Sequence, residues 1–378
     1  MFKRRKSKKV KVGSLYIGGN SPITVQSMSK TDTRDISSTV KQIKLLEKAG
    51  CEIIRVAVLN QEAACCLGEI KKKIKIPLVA DIHFDYRLAL ESIKQGVDKV
   101  RINPGNIGDR DRIRQVVKAA KEKKIPIRIG VNSGSIERRL LEKFGFTSCA
   151  MVESALSEIS LFEKEKFYDI VVSLKGSDVP MTVEAYQMLS GKCEYPLHLG
   201  ITAAGPFYPG MIKSSVGVGS LLLQGIGDTI RVSLTARPEE EVLLGQKILE
   251  SVGLRKTGPE IISCPTCGRC EVDMIKLTEK VEKALKGINK PIKVAVMGCA
   301  VNGPGEAREA DIGVASGKGC GLLFKKGKII RKIQEKDLFP ELIKEIRKIR
   351  KFGTAKGKVI IHDDFDKPLP DDIIKYFA

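Results

Sequence analysis

Eight short runs rich in β-branched residues recur between residues 20 and 250, each followed by a longer amphipathic stretch, and this alternation restricts the chain to repeated βα units. The runs are Ile23-Thr-Val-Gln, Ile53-Ile-Arg-Val-Ala-Val, Leu78-Val-Ala-Asp, Lys99-Val-Arg-Ile, Ile127-Arg-Ile-Gly-Val, Ile170-Val-Val-Ser-Leu, Leu197-His-Leu-Gly-Ile and Thr229-Ile-Arg-Val-Ser-Leu. Eight parallel strands with their helices in about 230 residues match a closed barrel better than an open doubly wound sheet. No G-x-G-x-x-G follows the first strand, which weighs further against the open sheet. The expected fold class is α/β, a (β/α)8 TIM barrel followed by a smaller α+β domain.

The boundaries follow from punctuation and composition. Residues 1–19 form a basic N-terminal segment and residues 20–254 the barrel. Arg255-Lys-Thr-Gly-Pro-Glu260 is a linker into a second domain over 255–353. Residues 354–378 are a tail, in which Lys358-Val-Ile-Ile-His precedes acidic residues and two prolines. Hydrophobic residues at 42% and charged ones at 29% exclude a wholly disordered chain. No stretch reaches the ~18 consecutive apolar residues of a bilayer span, and no apolar segment follows the charged start Met1-Phe-Lys-Arg-Arg-Lys-Ser-Lys-Lys. Neither membrane insertion nor secretion is expected, and the expected location is the cytoplasm.

The net charge of +21 reads first as a solvated surface and second as an anionic partner. Nucleic acid is the weaker partner, because there is no Trp, aromatics are 5%, and nothing interleaves basic and aromatic residues as a stacking platform does. Barrel enzymes react at the C-terminal ends of their strands. Those ends carry Arg55, Asp81 and His83, Arg101 and Asn103, Arg128 and Asn132, Lys175, Thr202, and Arg231 with Ser233. Cations there are costly unless they face water or an anion, and a shared phosphate-rich ligand accounts for all of them together. His83 belongs with this site. His198, between Leu197 and Leu199, is expected to be a structural, hydrogen-bonded histidine, and His362 in the tail has no assigned role.

Ten cysteines stand at 51, 65, 66, 149, 193, 264, 267, 270, 299 and 320. The first five are scattered, mostly in apolar runs where buried inert thiols are the usual occupants. The last five crowd together and point to metal. Cys264 and Cys267 form a Cys-x-x-Cys turn, and Cys299 follows a predicted strand. A zinc ribbon would want a second, separate such turn, and none exists. An iron–sulfur cluster tolerates the uneven spacing, with Glu306 as a harder oxygen ligand on the fourth iron, or with Cys270 or Cys320 at that corner.

With these residues in view, the chain resembles the 4-hydroxy-3-methylbut-2-en-1-yl diphosphate synthases, iron–sulfur enzymes of the non-mevalonate isoprenoid pathway, from about residue 10 to 350. The resemblance rests on Ile23-Thr-Val-Gln-Ser-Met28, Val100-Arg-Ile-Asn-Pro-Gly-Asn106, Lys213-Ser-Ser-Val-Gly-Val-Gly219, Gly227-Asp-Thr-Ile-Arg-Val-Ser233, Ser263-Cys-Pro-Thr-Cys-Gly-Arg269 and Met297-Gly-Cys-Ala-Val-Asn-Gly-Pro-Gly-Glu306. The length resembles the two-domain bacterial form.

The resemblance implies that Cys264, Cys267 and Cys299 hold a [4Fe-4S] cluster with Glu306 as a displaceable fourth ligand. It also implies that Arg55, Asp81, His83, Arg101, Asn103, Arg128, Asn132, Lys175, Thr202 and Ser233 line a diphosphate pocket, with Asn302 contacting substrate from the cluster side and Glu306, Asp81, His83 and Asn302 acting in catalysis. The implied reaction opens the ring of 2-C-methyl-D-erythritol 2,4-cyclodiphosphate, removes a hydroxyl and adds two electrons. A ferredoxin or flavodoxin would donate them. The implied assembly is a homodimer in which the cluster domain of one subunit closes over the barrel of the other. One departure stands out: the family usually has Thr-Glu-Ala-Gly where this chain reads Thr202-Ala203-Ala204-Gly205. The rival reading, from another class, is a basic nucleic-acid-binding barrel with a structural zinc ribbon.

Overall fold

A computed structural model describes residues 3–103, 107, 110–270, 272–288, 290–299, 305, 307–317 and 319–349. The chain divides into two compact units, one ending at Arg255 and the other beginning at Lys256.

The first unit opens with an antiparallel hairpin, β1 (Val10–Val12) and β2 (Leu15–Ile17). Eight parallel strands follow: β3 (Thr24–Met28), β4 (Ile53–Ala57), β5 (Leu78–Asp81), β6 (Lys99–Ile102), β7 (Ile127–Asn132), β8 (Ile170–Lys175), β9 (His198–Leu199) and β10 (Thr229–Ile230). Around them run α1 (Ile36–Lys48), α2 (Gln61–Lys72), α3 (Tyr86–Lys94), α4 (Arg110–Lys123), α5 (Arg138–Phe144), α6 (Ser148–Lys164), α7 (Val179–Ser190), α8 (Phe207–Leu223) and α9 (Pro238–Ser251). Their order in the sheet is β8-β7-β6-β5-β4-β3-β10-β9, and a parallel bridge between Val172 and Leu197 joins the two outer strands, so the sheet closes into a barrel. Every expected run supplies one strand. The last two are shorter than their runs, since beyond them the ladder thins to single bonds such as Arg231 N–H to the Leu199 carbonyl, 3.0 Å.

Several helices start where a short polar side chain can accept a backbone N–H of the first turn. Asp35 accepts from Ser38, Asn60 from Ala63, Asp85 from Arg87, Thr147 from Ala150 and Asp178 from Met181. Strand side chains alternate between faces. Ile54, Val56, Leu78, Ala80, Val100, Ile102, Ile127, Ile129, Val172 and Leu174 face the helices in the main core. The intervening positions face the barrel interior. There Arg55, Asp81, Lys99, Arg101, Arg128, Lys175 and His198 are all buried, where a packed barrel would carry Val, Ile and Leu.

The floor of the barrel is apolar. Val10, Val12 and Ile17 of the hairpin pack on Ile53, Val79 and Val171, which lie at or next to the first residue of their strands. Ahead of the hairpin, the basic segment is strapped to buried Asp228. Arg4 Nη2 lies 3.1 Å from its Oδ1, Ser7 Oγ donates to the same oxygen at 2.8 Å, and Leu197 N–H donates to Oδ2 at 2.9 Å. Arg5 donates to the carbonyls of Cys193 and Tyr195 at 2.6 and 2.5 Å.

The second unit has one five-stranded sheet in the order β11 (Glu260–Ser263), β12 (Lys293–Met297), β13 (Ile312–Gly317), β14 (Cys320–Lys325), β15 (Lys328–Gln334). The first three strands run parallel and the last three antiparallel. Helices α10 (Met274–Leu285) and α11 (Leu338–Lys348) cover one face, burying Val281, Leu342 and Ile346 against Val294, Val296 and Val314. Among the described residues no helix is long and apolar enough to cross a membrane.

Candidate active site

The strand-end residues of the barrel gather around one carboxylate. Asp81, at the end of β5, receives Arg101 Nη1 on Oδ1 at 3.2 Å and Arg55 Nε near Oδ2 at 3.5 Å, with His83 Nε2 3.6 Å from the same oxygen. Burial alone would raise the Asp81 carboxyl; Arg55, the His83 contact, Arg101 and Arg128 together overcome it and hold the group well below the ordinary carboxylate range. Arg55 also turns Nη2 to the Met28 sulfur at 2.9 Å. Burial and the neighbouring guanidiniums outweigh Asp81 here and bring Arg55 down to about 9.

Other N–H groups of the ring stay open. Arg128 has no hydrogen-bond partner on Nε or Nη1, and Arg101 and Arg231 have none on Nε. Burial, followed by the surrounding positive charge, pushes both Arg128 and Lys175 well below their ordinary values. Lys175 has room because Gly200 faces it: a Cβ there would stand 2.7 Å from Nζ. A second carboxylate, Glu241 of α9, lies 3.2 Å from Lys30 Nζ and 3.9 Å from Arg231 Nη2. Buried N–H groups left open in an excess of cations suit an anion with several oxygens, such as a phosphate ester.

The remaining expected residues of the barrel stand near the same end. Asn103 donates through Nδ2 to Ser135 Oγ at 3.0 Å and leaves its buried Oδ1 open. Asn132 ends β7, and Thr202 N–H donates to the Gly176 carbonyl at 3.0 Å. Ser233 is half-buried two residues after Arg231, whereas His83 is exposed. Ala203 is exposed with φ +48, a conformation seldom adopted by residues with a side chain.

In the second unit, Cys264 follows β11 and Cys299 follows the neighbouring parallel strand β12, so both thiols stand at the same sheet end. Gly298 N–H donates to Cys264 Sγ at 3.2 Å, the kind of bond that favours a thiolate and tunes a cluster sulfur. A Cβ on Gly298 would stand 2.7 Å from Cys270 Sγ and 3.2 Å from Cys264 Sγ, so only glycine lets the backbone pass these thiols. Cys267 is exposed, and Cys320 opens β14 opposite Gly317, two strands from β12. Three soft sulfur donors fit an iron–sulfur group. Among the described residues no three His, Cys, Asp or Glu side chains stand together as a ready metal site. Asn302 and Glu306 lie outside the described residues.

Two expectations are corrected. His198 is fully buried, yet neither ring nitrogen has a hydrogen-bond partner. It faces Lys175, Arg128 and Lys99 rather than a carbonyl, and burial followed by those cations keeps it neutral. Of the five scattered cysteines only Cys51 is buried; Cys65 is exposed, because its apolar-looking run lies on the amphipathic helix α2. Lys99 is an interior residue the sequence reading did not single out. Its position two before Arg101 is the signal, since that spacing puts both on the inner face of β6.

Fold and site together define an anion-binding TIM barrel joined to a cysteine-bearing α+β unit. The GcpE TIM-barrel domain matches residues 7–246 and the GcpE protein C-terminal domain residues 260–348, and the chain belongs to the GcpE family. It is 61% identical over 346 residues to a protein of Ruminiclostridium cellulolyticum, covering 91% of this chain and 98% of that one. A protein of Caldanaerobacter subterraneus subsp. tengcongensis is 60% identical over 93% of this chain and 99% of its own. Each is named 4-hydroxy-3-methylbut-2-en-1-yl diphosphate synthase (flavodoxin).

Proposed function

We propose that this chain is an iron–sulfur oxidoreductase that converts 2-C-methyl-D-erythritol 2,4-cyclodiphosphate to 4-hydroxy-3-methylbut-2-en-1-yl diphosphate. The observation that carries the reading is the ring of Arg55, Arg101, Arg128, Lys175 and Arg231, in which buried N–H groups of Arg101, Arg128 and Arg231 stay open and suit an anion. The names of relatives close to 60% identical, which end in a diphosphate product, support a diphosphate as that anion.

In this reading Arg101 and Arg128 hold the diphosphate by charged, forked N–H contacts, and Lys175 adds a compact charge from the next strand. Asp81 fixes Arg55 and Arg101 so that neither must reorganise when the ligand enters. The same carboxylate holds His83 Nε2, leaving Nδ1 of the exposed imidazole to carry a proton. Asn103 and Asn132, with Thr202 and Ser233, supply neutral contacts for ester and hydroxyl oxygens. Cys264, Cys267 and Cys299, with Glu306, would hold a [4Fe-4S] cluster. That group supplies the two electrons no side chain can provide.

A flavodoxin or ferredoxin is the proposed donor, and the chain's excess of basic groups would steer such an acidic protein. The proposed partner is a second copy of the chain. Tyr208, Ile212 and Val216 support it, an exposed apolar stripe at four-residue spacing on α8. The test is anaerobic purification, iron and sulfide analysis, and turnover of the cyclodiphosphate with a chemical reductant. About four irons per chain with product formation is the expected result. Zinc without iron, after reconstitution with iron and sulfide, would overturn the reading.

A further inference from the structure

Beneath the ring lies a layer that the proposed reaction does not use. Lys99 begins β6 level with Val79, whose side chain packs on the hairpin floor, so its side chain leaves the strand deeper in the barrel than that of Arg101 two residues on. The residue is fully buried and Nζ has no hydrogen-bond partner. His198 begins β9 in the same condition, and it feels the charge of Lys175 and Arg128.

The charged groups facing this layer are Arg55 on β4, Asp81 on β5, Arg101 on β6, Arg128 on β7, Lys175 on β8 and Arg231 just past β10. From β3 come only neutral Thr24 and Gln26, and from β9 the imidazole of His198. The carboxylates are committed elsewhere: Asp81 to Arg55, Arg101 and His83, and Glu241 to Lys30 and Arg231. A charged lysine here would be buried, unpaired and among like charges, which favours the amine.

Gln26 Oε1, Thr24 Oγ1 and the His198 ring are likewise buried without hydrogen-bond partners. What the layer lacks is negative charge, and a diphosphate held by the ring above would supply it.

We propose that Lys99 is a proton acceptor coupled to anion binding: in the empty barrel it is an amine, and entry of a diphosphate draws one proton from solvent onto Nζ. The ligand is then held as diphosphate plus proton. Lys99 is a positioning residue in this scheme, acting through Arg128 and His198 without touching substrate. Burial, followed by the charges of Arg128 and Arg55, pushes the Lys99 amine well below its ordinary value, in keeping with the geometry. The inference rests on the diphosphate-site reading above, and its test separates the two.

Inorganic pyrophosphate is titrated calorimetrically into the full chain at about pH 7.5 in buffers of different protonation enthalpy, which yields the protons exchanged on binding. Wild type is expected to take up about one proton more than Lys99→Met or Lys99→Arg, with the ligand's own exchange common to all three. Lys99→Met is also expected to melt above wild type, because it removes an unpaired buried amine. Equal proton uptake in wild type and either folded variant would overturn the coupling while leaving the anion site intact. Absence of pyrophosphate binding by wild type itself would overturn both readings.

Discussion

Lys175 Nζ lies over Gly200, 2.7 Å from where a Cβ would stand, and the Arg231 carbonyl is closer still at 2.4 Å. The glycine is what lets a lysine from β8 enter the ring. Gly200→Ala is therefore expected to push Nζ away and strain the β10 backbone. Diphosphate affinity should fall at least about tenfold, with about 1–3 kcal/mol of stability lost. Calorimetric titration and thermal denaturation of the one variant check both; unchanged affinity would place Lys175 outside the anion site.

Asp81→Asn leaves Arg55 and Arg101 buried without their anion and is expected to cost about 3–5 kcal/mol. The pH dependence has a definite sign. A carboxyl held below its ordinary 3.8 stabilises the fold above that pH, and the contribution is lost as pH falls toward the folded-state value. The variant should show a smaller acid loss of stability than wild type, and denaturant melts below pH 5 compare them.

His198 acts in the opposite chemical sense on the same side of neutrality. Below its ordinary 6.5 the unfolded chain takes up a proton that the folded barrel refuses, so stability falls as pH drops. His198→Gln should flatten that slope by about 1 kcal/mol per pH unit between pH 6.5 and 5.5. Parallel slopes for the two proteins would contradict a neutral buried imidazole.

For the second unit, Cys264→Ala, Cys267→Ala and Cys299→Ala are each expected to abolish iron loading after reconstitution. Cys270→Ala and Cys320→Ala should retain about four irons per chain. Retention by Cys267→Ala, or loss by Cys320→Ala, would reassign the ligands.

Ala203 occupies a left-handed conformation at the position where the resemblance implies Glu. Ala203→Glu should raise turnover at least about tenfold, in the range a placed proton donor contributes. It should melt slightly lower, because a longer side chain sits less easily at φ +48. No change in kcat would mean that position 203 takes no part in the proton transfer.

Much of this architecture was legible because barrel strands announce themselves. Buried on both faces, Ile53-Ile-Arg-Val-Ala-Val and Ile170-Val-Val-Ser-Leu interrupt their apolar runs only where a side chain faces the interior, and that exception exposed Arg55. Ser173 shows the limit, as an inward neutral residue carries no such flag. Lys99 escaped notice because it stands at the start of its strand, the end where stability rather than chemistry is expected. The hairpin was hidden by charge: Val10 and Val12 alternate with Lys9 and Lys11 in a strongly basic stretch. His198 was misjudged because its apolar neighbours in sequence point to the helices, while its neighbours in space are cations on other strands.

The strap on Asp228 bears on how the chain is made. Arg4 and Ser7 precede Asp228 by more than 220 positions. The basic segment therefore waits, unpaired, until the last barrel strand arrives, and the closing step is a contact of long sequence separation, the slow kind.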